Sequence, residues 1–102
     1  MPDEATISHE DNGSHGAYRM DVEGSQRQAE LTWRKAQRAE GDVRIADHTF
    51  TPPQARGKGI AFKLVEALIA DARETGFTII PACPYVAVQF DRHPEWSDLR
   101  AG

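Results

Sequence analysis

From Ala17 onward the chain alternates, with Tyr18, Met20 and Val22 on one side and Arg19, Asp21 and Glu23 on the other. A period of two marks a strand with one buried face. Glu23-Gly24-Ser25 supplies a turn, and a second run follows, setting Ala29, Leu31 and Trp33 against Gln28, Glu30, Thr32 and Arg34. Glu40-Gly41-Asp42 marks its end. The third run, residues 43–51, is rich in β-branched residues and stops at Pro52-Pro53, which cannot continue a ladder. On strict alternation it places His48 with Ala46 and Phe50, and Asp47 with Val43 and Ile45. Three strands with short connections predict an antiparallel meander.

After the prolines the period becomes 3.6. Ala61, Leu64, Val65, Leu68 and Ala72 form one apolar stripe, opposite Lys63, Glu66, Ala70, Arg73 and Glu74. This predicts a helix over residues 59–75, ended by Gly76 in a left-handed conformation. Residues 77–80 are too short for a helix and predict a fourth strand. A strand-helix-strand unit normally returns parallel and right-handed, so this strand is expected beside the third. Pro84 suits the first position of a short helix reaching about Arg92. Residues 1–16 have no apolar period and are read as a mobile acidic tail. The expected architecture is a single α+β domain over residues 17–102, with about four strands, a long helix and a short one.

The 102 residues are 39% hydrophobic and 27% charged, ordinary values for one folded domain. The net charge is −4, but the first sixteen residues hold four acids and no Lys or Arg. The remainder balances twelve acids with twelve Lys and Arg. That balance speaks against duplex nucleic acid or an anionic membrane as partner. The single cysteine excludes an internal disulfide, and the polar N-terminal stretch does not resemble a signal peptide. A cytoplasmic protein, monomeric or weakly dimeric, is expected. No spacing among the four histidines and the carboxylates suits a metal, so none is expected.

Candidate chemistry concentrates in Gln54-Ala-Arg-Gly-Lys-Gly-Ile-Ala61. Two glycines at the mouth of a helix leave backbone N–H groups accessible, a geometry that binds phosphates. The alternative is a solvated glycine-rich turn. A nucleoside-triphosphate loop would need a Ser or Thr after Lys58, where Gly59 stands, and a dinucleotide loop a third glycine where Phe62 stands. Cys83 precedes Pro84 at a helix start: either its thiolate attacks an acyl thioester, or it is a small buried packing residue. His48 is a candidate base or a hydrogen-bonded strand residue. Trp33 and Trp96 read as packing aromatics.

Arg56-x-x-Gly59-x-Ala61, following Thr51-Pro52-Pro53, resembles the coenzyme A loop of the GNAT N-acetyltransferase superfamily. With Ile80-Pro-Ala-Cys-Pro-Tyr-Val and His93-Pro-Glu-Trp96 it is similar to the minimal domains of that superfamily, over roughly residues 17–100. The resemblance implies a mixed sheet splayed near its centre. It implies acetyl-CoA as co-substrate and an amine acceptor, a small molecule or a protein lysine. Phe50 and Thr51 would hold the pantetheine arm, and the amides of Gly57, Lys58, Gly59, Ile60 and Ala61 the pyrophosphate, with charge from Arg56 and Lys58. It implies that Cys83 lies near the thioester. Larger members carry a proton-donating tyrosine where this chain has Asp91, a poor donor because carboxylates are ionised at neutral pH. Tyr85 is the nearby substitute. A coenzyme A-binding module without turnover and a small interaction domain remain the alternative functions.

Overall fold

A computed structural model describes residues 7–36 and 41–101. Its strands are β1 (Ile7–Asp11), β2 (His15–Met20), β3 (Ala29–Lys35), β4 (Val43–Phe50) and β5 (Thr78–Pro81), in the order β1-β2-β3-β4-β5. The first four are antiparallel and β5 runs parallel to β4, as the crossover predicts. The helices are α1 (Ile60–Thr75) and α2 (Pro84–Arg92), with 3₁₀ turns at Pro53–Ala55 and Pro94–Leu99.

The predicted faces are the buried ones: Tyr18, Met20, Ala29, Leu31 and Trp33 join Leu64, Val65, Leu68 and Ala72 of α1 in one apolar cluster. Removing such side chains from water is the main source of stability in a domain of this size. Trp33, Trp96 and Cys83 belong to the same cluster. Arg44 is buried among them, its guanidinium 4.3 Å above the Trp33 ring and 3.9 Å above that of Phe77, with Asp42 as ionic partner.

Two features depart from the expected pattern. First, β1 lies inside the stretch read as a mobile tail, and only residues 1–6 of that stretch lie outside the described residues. Four of its five residues are exposed, so it carries no alternation to read. Pairing with β2 holds it, together with His9, whose ring stacks on Tyr18 at 4.2 Å. His9 also accepts a hydrogen bond from Trp33 Nε1 and lies 3.2 Å from Asp71 of α1. Second, the β3–β4 register slips by one residue between Thr32 and Trp33: Trp33 faces Ala46, but Thr32 faces His48. Asp47 is the extra residue of this bulge. Thr32 Oγ1 donates to Asp47 Oδ1, so Asp47 and His48 lie on the face away from α1, and Thr49, opposite Leu31, turns inward. The bulge therefore separates His48 from Ala46, with which strict alternation grouped it.

Candidate functional site

Pro52-Pro53 ends β4 and starts the 3₁₀ turn, after which the Lys58 amide donates to Ala55 O at 3.2 Å. Gly57 and Gly59 both take left-handed conformations, with φ of 82° and 73°. Only glycine adopts these at little cost. Gly59 is the N-cap of α1, and no side chain caps the helix or places an acid in its first turn. The first amides of a helix lack intrahelical acceptors and sit at the positive end of its dipole. Here they are left open.

They open onto a cleft of about 550 Å³ between the end of β4, this loop and the start of α2. Phe50, Thr51, Arg56, Gly57, Gly59, Ile60, Ala61 and Tyr85 line it, all of them candidates from the sequence; Thr49 and Ala55 are additional. Lys58 is exposed in the loop but is not part of the lining. No acid lines the cleft. The connection between β2 and β3 is tied to its rim, with Gln54 Nε2 donating to Gly24 O and the Arg27 guanidinium 3.9 Å above the Phe50 ring.

At the other end, β4 and β5 part. Their pairing runs from Val43↔Thr78 to Ala46↔Pro81, and the Cys83 amide then donates to Ala46 O at 2.9 Å. Beyond that point β4 continues to Phe50 without β5. Cys83 is the N-cap of α2, but its thiol makes no capping bond. It is buried behind the cleft wall, with Sγ 3.5 Å from Thr49 Oγ1. Thr49 escaped the sequence reading because alternation assigns it to the wrong face; only the bulge turns it toward Cys83.

Partial burial raises the Tyr85 hydroxyl above its ordinary value, with Arg92 opposing, so it is protonated at neutral pH and able to donate. Asp91, at the position matched to the usual tyrosine, is ion-paired to Arg100 at 3.0 Å and does not line the cleft. His48 lies on the outer face, outside the lining. Histidine 93 closes α2, its Nδ1 2.7 Å from Gln89 O and its ring stacked on Trp96 at 4.2 Å. Among the described residues no group of three or more His, Cys, Asp or Glu is arranged to hold a metal, and no helix is long and apolar enough to cross a membrane.

A mixed sheet, a glycine loop opening an uncapped helix, and a cleft where two parallel strands separate together define an α+β domain suited to a phosphate-bearing ligand. The family model described as GCN5-related N-acetyl-transferase matches residues 17–99. The chain belongs to this acetyltransferase family.

Proposed function

We propose that the cleft binds acetyl-CoA and that the protein transfers the acetyl group to an amine. The observation that carries this reading is the uncapped start of α1, where two left-handed glycines and an acid-free cleft meet. The pyrophosphate rests on the amides from Gly57 to Ala61, with Arg56 and Lys58 adding charge. The pantetheine arm runs along Phe50 and Thr51, which brings the thioester toward Thr49 and Tyr85.

Transfer is direct. The acceptor nitrogen attacks the thioester carbonyl carbon, the C–S bond breaks, and the departing thiolate takes the Tyr85 hydroxyl proton. The nitrogen loses its proton to water, since His48 lies on the outer face, outside the cleft lining. Burial of Cys83 outside the cleft lining favours this route over an acetyl-cysteine intermediate.

Acceptor-dependent release of the coenzyme A thiol tests the proposal. Tyr85→Phe is expected to lower kcat about 100-fold, the usual scale of a lost general acid, whereas Cys83→Ser stays within a few-fold of wild type. Full activity of Tyr85→Phe would remove the proton donor, and inactivity of a folded Cys83→Ser would restore the covalent route.

A further inference from the structure

We propose that the Thr49 hydroxyl donates a hydrogen bond to the thioester carbonyl oxygen, and that the buried Cys83 thiol holds it in that role; both assignments rest on the acetyl-transfer reading above. Thr49 is half-buried in the cleft wall, with its Oγ1 3.5 Å from Cys83 Sγ.

The closed end of the cleft decides which groups can meet the reacting atoms. β4 and β5 are paired up to Ala46↔Pro81, and the bond from the Cys83 amide to Ala46 O extends this closure. Among the β4 and following residues in the lining, Thr51 adjoins the prolines that start the glycine loop, whereas Thr49 lies two residues nearer the fork. An arm anchored by its phosphates at the loop and laid back along β4 passes Thr51 first and ends at Thr49. From α2 the lining contributes Tyr85. The reacting end of the ligand thus lies between an aliphatic hydroxyl and a phenol.

These two hydroxyls suit different atoms of the thioester. When the amine attacks the carbonyl carbon, the π pair moves onto oxygen, which needs a hydrogen-bond donor but no proton. When the pair returns and the C–S bond breaks, the departing sulfur needs a proton. A phenol is the stronger acid and supplies it, as assigned to Tyr85. An aliphatic alcohol keeps its proton at neutral pH, so Thr49 serves the oxygen and is unchanged at the end of the step.

Cys83 fixes the direction of that donor. A hydroxyl and a thiol in contact share one hydrogen, in either sense. Once the Thr49 hydrogen turns to the carbonyl oxygen, the Cys83 S–H points at Thr49 Oγ1, and each bond of such a chain strengthens the next. Both ends of the pair are held: the Cys83 amide donates to Ala46 O and its carbonyl accepts from the Ala87 amide, each at 2.9 Å. Thr49, β-branched on a strand, has few rotamers to lose. Cys83 is therefore a positioning residue and Thr49 the catalytic one.

The test reads the carbonyl directly, by infrared spectroscopy of acetyl-CoA carrying ¹³C at the acetyl carbonyl, bound to the full chain. The stretch should lie at lower frequency in the wild-type protein than in Thr49→Val, which keeps the branched shape and removes the donor; Thr49→Ser should restore it. Thr49→Ala makes the same comparison should the valine variant fail to fold. For an amine that releases coenzyme A thiol in the wild-type protein, Thr49→Val should lower kcat about 100-fold, with the KM for acetyl-CoA nearly unchanged. Cys83→Ala should lower kcat about fivefold, and should have no further effect in the Thr49→Val background. An unshifted carbonyl stretch in Thr49→Val, or a lower kcat in Cys83→Ala that persists in that background, overturns the relay. Loss of acetyl-CoA binding in a folded Thr49→Val makes Thr49 a binding residue and overturns its catalytic role. No bound carbonyl signal in the wild-type protein overturns the acetyl-CoA reading, and this inference with it.

Discussion

At its C-terminal end α1 is closed by the protein itself. The Gly76 amide donates to Ala72 O at 2.9 Å, Arg73 pairs with Asp98 and donates to Glu95 O, and one turn earlier Asp71 accepts from Tyr18 and contacts His9. At the N-terminal end Gly59 takes a similar left-handed conformation, yet no side chain caps the helix, and Arg56, Lys58 and Lys63 lack acidic partners among the described residues. The same backbone device thus finishes one end and leaves the other open. A protein normally satisfies its helix ends, so an end furnished with a cleft and spare cations instead is where a ligand is expected.

The contrast breaks most severely at Gly16. A Cβ there would sit 2.2 Å from Glu10 O and 2.6 Å from the Trp33 ring, and the backbone atom cannot yield cheaply. Gly16→Ala is expected to cost about 3 kcal/mol, read as a fall in melting temperature of more than about 10 °C with altered Trp33 emission. The proposed coenzyme A cleft should still bind at temperatures where the variant is folded. A loss below about 1 kcal/mol would mean that β1 and Trp33 are not packed as described.

A smaller effect is expected at Tyr18. Burial, the hydrogen bond to Asp71 and the Asp71 charge raise its hydroxyl well above the usual value. The folded form therefore holds this proton more tightly than the unfolded chain, and the resulting stability is present below about pH 10 and declines as pH rises above it. Tyr18→Phe should cost about 1.5 kcal/mol at neutral pH. Above pH 10 it should also lack a decline of about 1.4 kcal/mol per pH unit that the wild-type protein shows. Parallel alkaline melting curves for the two proteins would contradict the buried Tyr18–Asp71 bond.

Much of this was legible in the sequence where packing imposes a period. The inward faces of β2 and β3 and the stripe of α1 follow from which side chains must leave water, and the parallel return of β5 follows from the strand-helix-strand crossover. The open glycine loop before α1 was legible for a different reason, because Gly57 and Gly59 constrain the backbone directly. β1 was not legible: its exposed residues carry no pattern, and it is held by backbone pairing and by His9 reaching across to α1. Nor was the bulge at Asp47, which arises from pairing between strands rather than from either strand alone. That single residue sends His48 outward, brings Thr49 inward to Cys83, and places the acid that anchors Arg34.

The most direct test is thermal melting of the wild-type protein, Gly59→Glu and Gly76→Glu with acetyl-CoA, coenzyme A and ATP. Both glycines are left-handed with open space around the missing Cβ, so each variant should lose a similar amount, about 1 kcal/mol, without ligand. Acetyl-CoA and coenzyme A at 100 times their dissociation constants should raise the melting temperature of the wild-type protein and Gly76→Glu by roughly 10 °C, with no rise for ATP. In Gly59→Glu that rise should vanish, because a side chain and a negative charge enter the loop. An undiminished rise in Gly59→Glu, or none in the wild-type protein, would contradict a cofactor site at the open end of α1.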